Sequence, residues 1–259
     1  MAKERRHKRQ AQLDVAVTAI QHRYGPRALA RGDASRVAGS AAAVPYIPSG
    51  FPELDRALGL GGFPKGEVCE LVGPATSGKT TLALKVLAQA QGGGSQVGYI
   101  DQALYFDPDY AYRCGLDLSR LLVGRPRDLP ETLAMVEALA RSGSLAALAL
   151  DTLEFLWDDP DAASALAATV NRLRTPLARA SMVLLVLHDS PQGRSPALSA
   201  LAHTASIRLQ VVRERWIYLH EDVRGYEARV EVLKNRLGPA GRVVRLTIEL
   251  NGTVGGDGL

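Results

Sequence analysis

The sequence predicts an α/β protein in which a parallel sheet is wrapped by helices, extended by antiparallel strands and preceded by a separate N-terminal helix. Three observations carry that expectation. Short apolar runs alternate with helical patterns from Glu67 to Leu187, the order that builds a parallel sheet through crossover connections. From Ser206 onward the chain holds strand-like runs with no long helix among them, which extends such a sheet by antiparallel pairing. A glycine-containing stretch at 73–80 lies between a strand pattern and a helix pattern, at the edge where open α/β sheets take their ligands.

The 259 residues, 46% hydrophobic and 22% charged, suffice for one large core with a small appendage. No apolar run reaches the length of a membrane span and the N-terminus lacks the apolar core of a signal peptide, so a cytoplasmic protein with no membrane role is expected. Cys69 and Cys114 lack metal-ligand spacing and cannot make a disulfide framework, which suits a reducing compartment. A net charge of +4 permits a polyanionic partner without requiring one, and 5% aromatic residues leave few base-stacking platforms.

The first ten residues include Lys3, Arg5, Arg6, Lys8 and Arg9, read as a solvated basic tail or as a nucleic-acid contact. Leu13, Val17, Ile20 and Tyr24 then fall on one face of a helix that Gly25 and Pro26 end. The Gly/Ala/Ser-rich stretch from Gly32 to Ala43 separates this segment, 1–43, from a core at 44–259. A short apolar stripe cannot bury itself, so the helix is expected to dock, on its own core or on a neighbouring subunit.

The core begins with a turn-rich entry, Val44 to Leu58, into a short helix that Gly59 to Gly62 stop. Strands are expected at Glu67 to Val72, Val97 to Asp101, Leu121 to Val123, Ala146 to Leu150 and Met182 to Leu187. Between them lie helical patterns at Leu82 to Ala90, Pro130 to Arg141 and Ala162 to Ala180, the last kinked or divided at Pro176. Gly92 to Gly94 make a flexible link. In the last third, Ser206 to Val212, Trp216 to Leu219, Ala228 to Lys234 and Val243 to Leu250 read as four strands, and Gly252 to Leu259 as a frayed end.

The chemistry centres on Gly73, Pro74, Ala75, Thr76, Ser77, Gly78, Lys79 and Thr80, which fit the phosphate-loop pattern G-x-x-x-x-G-K-[ST] without a mismatch. Glycines let successive N–H groups turn inward onto phosphate oxygens, and the following helix adds its positive end. Lys79 would reach the β- and γ-phosphates and supply charge to the transition state, while the Thr80 hydroxyl would complete the shell of a Mg²⁺ ion. A strand-to-helix turn without a ligand is the plainer reading. Such a loop needs a carboxylate that holds the metal through a water. Asp151, directly after Ala146 to Leu150, fits that role, with Thr152 as a hydroxyl neighbour; capping of the loop is the alternative. Asp101 ends its strand at the same edge. No residue is an obvious base.

Beyond the motif, Ile47 to Gly50, Leu54-Asp55, Ala57 to Gly59, Gly61 to Pro64 and Gly66 resemble the bacterial RecA recombinases. So do Glu70 to Pro74, Ser77 to Thr81, Tyr99 to Asp101, Asp107-Pro108, Tyr110, Ala138 to Gly143 and Val232 to Asn235, so that the likeness covers almost the whole chain. The resemblance implies a RecA-like phosphate-loop NTPase core that uses ATP and Mg²⁺, with Thr81 in the phosphate-binding segment. It implies that Asp107 and Tyr110 hold the adenine, and that Lys234 and Arg236 reach a neighbouring subunit's ATP, Arg236 standing for a lysine. It also implies that the N-terminal helix attaches to RecA or to the chain's own neighbouring subunits.

Three departures stand against full RecA activity. Where the family carries the glutamate that activates water, this chain has Ala103, and Gln102 is left as the candidate for orienting it. His188-Asp189-Ser190 replaces the Asn-Gln that senses the γ-phosphate. The two stretches at the positions of the DNA loops, between Trp157 and Ala162 and between Asp189 and Ala200, look shorter than in the family, and a chain without the family's small C-terminal domain is expected. Together these resemble the ImuA-type accessory proteins of translesion synthesis, which act through RecA and a polymerase-like partner. The expected function is an ATP-binding accessory factor of DNA repair and the SOS response with weak or absent hydrolysis. The alternatives are a compact recombinase that binds single-stranded DNA in ATP-dependent filaments, and a single-strand binder using Arg5, Arg6, Lys8, Arg9 and Arg194.

Overall fold

A computed structural model describes residues 2–25, 44–151, 160–189 and 201–250. Expectations for 32–43, Thr152, Ser190, Arg194 and 252–259, and for most of the two DNA-loop stretches, lie outside these residues. The chain divides into two compact units, 1–43 and 44–259. The first contains α1 (Ala2–Tyr24). This helix begins well before Leu13, so the basic stretch is helical, and its described side chains are exposed. Lys and Arg are good helix formers, and no Gly or Pro intervenes before Gly25. Leu13, Ile20 and Tyr24 of the stripe are exposed.

The second unit runs β1 (Tyr46–Ile47), α2 (Pro52–Leu58), β2 (Phe63–Pro64), β3 (Val68–Val72), α3 (Lys79–Ala90), β4 (Gln96–Asp101), α4 (Pro108–Arg113), β5 (Leu121–Gly124) and α5 (Leu129–Ser142). There follow β6 (Leu145–Asp151), α6 (Pro160–Ala180), β7 (Val183–His188), β8 (Ile207–Leu219), β9 (Asp222–Asn235) and β10 (Val243–Glu249). Eight strands form one sheet in the order β10-β9-β8-β3-β7-β6-β4-β5. From β8 to β5 the neighbours are parallel, and β9 and β10 add antiparallel strands at the other edge. The expected architecture is therefore present.

Strand alternation divides the core between the two faces of the sheet. Leu185 and Leu187 of β7 pack with Cys69, Leu71 and the α3 side chains Leu82, Val86 and Leu87. Leu184 and Val186 pack on the other face with Val136 of α5 and Val170, Leu173 and Leu177 of α6.

Two expectations change. α6 continues through Pro176 as one helix. The proline removes one N–H to carbonyl bond, and burial of Leu173 and Leu177 on either side holds the helix together. The runs Ser206 to Val212 and Trp216 to Leu219 belong to a single strand of 13 residues, β8. The charged segment between them is a bulge at Glu214 rather than a turn. Glu214 meets Arg229 at 3.5 Å and Arg245 at 2.8 Å, and Arg215 meets Glu227, so cross-strand ion pairs carry β8 onward along β9.

A buried polar triad joins the three central strands. His188 of β7 donates from Nε2 to Glu70 Oε1 of β3 at 2.5 Å, and Arg208 Nε of β8 lies 3.1 Å from Glu70 Oε2. Glu70 and His188 are fully buried, where a carboxylate stripped of its partners would cost about 3–5 kcal/mol. The triad fixes the mutual register of the strands that carry the phosphate loop, Asp189 and Arg213.

Candidate functional site: a phosphate loop and its carboxylates

β3 delivers the loop and α3 receives it. Gly73 donates its N–H to His188 O, and Ser77 donates to Pro74 O, which curls the segment back before Gly78. Gly78 has φ +104°, and a Cβ there would meet Ile248 Cδ1 at 2.9 Å and Tyr226 Oη at 3.1 Å, so both backbone and packing demand glycine. Thr76 holds the left-handed region at φ 60° without being glycine.

The eight motif residues come together as the sequence predicts, and Lys79 lies inside their curve. Its buried ammonium donates to Gly73 O at 2.7 Å, to Pro74 O at 2.8 Å and to Asp189 Oδ1 at 2.8 Å. Ser77 Oγ is buried and has no hydrogen-bond partner in this arrangement. A buried hydroxyl left without a partner beside the Lys79 ammonium is a group that a bound oxygen ligand could satisfy.

Asp151 ends β6 in register with Asp101 at the end of β4. Asp151 Oδ2 accepts from Thr80 Oγ1 at 2.9 Å and from the Tyr99 hydroxyl. Burial first, then the charge of Asp151, push the Tyr99 phenol far up, so Tyr99 stays protonated and donates. Thr80 and Asp151 are thus adjacent oxygen donors, the pairing a phosphate-loop Mg²⁺ requires. Among the described residues no cluster of three or more His, Cys, Asp or Glu side chains could hold a metal. Asp101 has a different employment. Its carboxylate accepts from the Tyr105 and Phe106 amides and pairs with Arg125 Nε at 3.3 Å, closing the turn after β4.

Gln102 and Ala103 occupy that turn. The Gln102 side chain is engaged with Thr132 of α5, whose hydroxyl also lies 2.7 Å from Asp128 O. Asp107 is the N-cap of α4, its Oδ1 accepting from the Asp109 and Tyr110 amides. Sequence reading by strand and helix period missed α4, although Asp followed by Pro is an N-cap with Pro at the first helical position. The cap brings Tyr110 to α3, where its hydroxyl meets Thr81 Oγ1 at 2.7 Å.

Lys234 and Arg236 lie apart from the loop. Lys234 donates to Ala202 O at 2.6 Å and to His203 O at 2.8 Å, and Arg236 also donates to His203 O, so both hold carbonyls of the helical residues described at 201–204 of their own chain. Partial burial, then the neighbouring Arg236 charge, hold the Lys234 ammonium below the usual lysine range. Three further features escaped sequence reading: Asp189 on Lys79, Tyr99 on Asp151, and Arg213 of β8 against Thr76. All are contacts between segments distant in sequence, which the local spacing of residues does not encode.

With this geometry in hand, the chain was compared with known proteins. Residues 11–173 match the RecA N-terminal domain model. The chain is 33% identical to Protein RecA of Chlorobium limicola over 251 residues, covering 88% of this chain and 70% of that protein. Against Protein RecA of Chlorobaculum parvum it is 32% identical, covering 92% and 74%, and against that of Bacillus pumilus 29%, covering 93% and 74%. The fold is shared with a crystal structure of the RadB recombinase, at a TM-score of 0.66 and 21% identity, over 80% of this chain and 97% of that one. The parallel sheet, the loop between β3 and α3 and this similarity along most of the sequence place the chain in the RecA family.

Proposed function

We propose that this protein binds ATP with Mg²⁺ at residues 73–81 and works as an interaction factor in DNA repair and the DNA damage (SOS) response, with weak or absent hydrolysis. The observation that carries the reading is a complete cradle beside an empty catalytic position. Lys79, the orphaned Ser77 hydroxyl and the Thr80–Asp151 pair fit a triphosphate and its metal. In the turn after β4, residue 103 is alanine, and Gln102 is engaged with Thr132. A bound Mg²⁺ would neutralise phosphate charge, Thr80 would offer it a direct oxygen and Asp151 an acceptor for its water. Tyr110, which meets Thr81 in the first turn of α3, and Asp107, which caps the helix carrying it, would hold the adenine.

ATP binding with slow turnover suits a protein that works by docking. The stripe Leu13, Val17, Ile20 and Tyr24 on α1 is the proposed attachment to RecA filaments or to further copies of this chain, and a translesion polymerase is a second partner of the same reading. A compact recombinase that binds single-stranded DNA is the competing reading, favoured by Lys234 and Arg236. In a filament these cations would leave the carbonyls of 202 and 203 for a neighbour's ATP.

Asp189 adds a constraint of its own. Its carboxylate occupies Lys79, so a phosphate must displace it and then tolerate a second anion nearby. Asp189→Asn, which keeps an acceptor and removes the charge, is expected to tighten ATP about five- to twentyfold while moving ADP less. Equal affinities in titration calorimetry would show that the carboxylate does not face the terminal phosphate.

Steady-state ATP hydrolysis with and without single-stranded DNA, with nucleotide binding measured on the same sample, separates the two readings. Binding without DNA-stimulated turnover is expected; stimulated turnover would put the recombinase first. For docking, Leu13→Asp is expected to abolish co-sedimentation with RecA filaments and self-association while leaving ATP affinity unchanged. Retention of both associations would refute a docking role for α1.

A further inference from the structure

The arginines of β8, β9 and β10 follow one rule with one exception. Arg208 pairs with Glu70, Arg215 with Glu227, Arg224 with Asp222, Arg229 with Glu214 and Glu231, and Arg245 with Glu214. Arg213 alone meets no carboxylate among the described residues. It lies against the phosphate loop instead. Its Nη1 donates to Thr76 Oγ1 at 3.2 Å and reaches Thr76 O at 3.5 Å, and its guanidinium carbon lies 4.2 Å above the centre of the Trp216 ring.

The position is built. The bulge at Glu214 separates Arg213 from the ion-pair ladder that occupies Arg215 and Arg229. Trp216 stands edge-on to Tyr226 at 5.8 Å between centroids, and the Tyr226 hydroxyl lies 3.5 Å from Thr81 Oγ1, so the aromatic support is anchored on α3. A ring face holds a guanidinium without neutralising it and keeps its planar fork directed to one side.

The charges at the loop give this arrangement a meaning. Lys79 is matched by Asp189, and Asp151 adds a further carboxylate beside Thr80. The loop therefore carries more negative than positive charge until Arg213 is included. An arginine without a counter-ion, touching a residue of an oxyanion cradle, has a phosphate as its natural partner.

We propose that Arg213 is a phosphate-binding residue supplied by the same chain, which turns from Thr76 onto the terminal phosphate of a bound nucleoside triphosphate and so makes the site prefer triphosphate over diphosphate. It deepens the nucleotide-binding reading above and rests on it. Trp216 keeps the guanidinium desolvated on one face in the absence of nucleotide. The residue is not required for the fold, since its contacts are to the partly exposed loop tip and to one ring.

The test is the affinity ratio of a non-hydrolysable ATP analogue to ADP, each with Mg²⁺, by titration calorimetry. Arg213→Gln is expected to weaken the triphosphate about 10- to 100-fold, as loss of a hydrogen bond to a charged group does, and ADP less than about threefold. Arg213→Lys, which keeps the charge without the fork, is expected to recover only part of the difference. A residue that merely props the loop would shift both nucleotides equally, and that result overturns the proposal, as does an unchanged ratio in Arg213→Gln. Failure of the wild-type protein to bind either nucleotide is a distinct result that overturns the nucleotide reading together with this one. An independent readout is Trp216 emission in a Trp157→Phe background, which leaves one tryptophan. The triphosphate should change it and ADP should not; identical responses to the two would contradict the movement of Arg213.

Discussion

Gly73 lies so close to β8 that a methyl group in place of its hydrogen would stand 2.0 Å from Val211 O. No L side chain fits there, and the site around it depends on that closeness. Because the first residue of the loop is pressed onto β8, the loop tip meets Arg213, two residues beyond Val211. Because Gly73 also donates to His188 O, the end of β7 is drawn to the same place and presents Asp189 to Lys79. Sequence motifs attribute the loop's glycines to the anion they surround. Here the first of them is fixed by a neighbouring strand, and the curl is a consequence of how the ends of β3 and β7 meet the middle of β8.

Below that convergence the sheet is held in register by charge rather than by apolar packing alone. Glu70, His188 and Arg208 form a polar line across β7, β3 and β8 on a face otherwise filled by Val68, Leu184 and Val186. A buried line of this kind seldom adds much net stability, because desolvation offsets most of the attraction. What it adds is specificity of register, since a one-residue slip would bury each charge without a partner. The two carboxylates and two cations nearest the loop therefore keep fixed relative positions, the condition for an electrostatic site to act.

Much of this was legible in sequence, for identifiable reasons. The loop, Asp151 and the alternation of β3, α3, β4, α5, β6, α6 and β7 are encoded locally, in spacings of a few residues. The continuity of β8 through Arg213, Glu214 and Arg215 was not, because charges that read as a turn are satisfied by Glu227, Arg229 and Arg245 on strands far along the chain. The helical state of the basic N-terminal stretch was hidden by a charge pattern that suggests solvation, although its propensities favour a helix. Tyr99 read as one more apolar strand residue, and only the arrival of Asp151 from β6 gives its hydroxyl a partner. Pro176 read as a kink or a division, and burial on both sides keeps the helix undivided. Apart from the N-terminal helix, the missing information was a contact between distant segments, which periodicity cannot carry.

The central claim is that the curl at 73–80 is a nucleotide cradle whose lysine is held in reserve by Asp189. Determination of the structure with Mg²⁺ and a non-hydrolysable ATP analogue tests it most directly, through the position of Lys79 Nζ. The expected result is an ammonium that has left Asp189 and the carbonyls of Gly73 and Pro74 for phosphate oxygens, with the Ser77 hydroxyl no longer unpartnered and the metal on Thr80. A Lys79 still bound to Asp189 at saturating analogue, with the nucleotide elsewhere or absent, would contradict it.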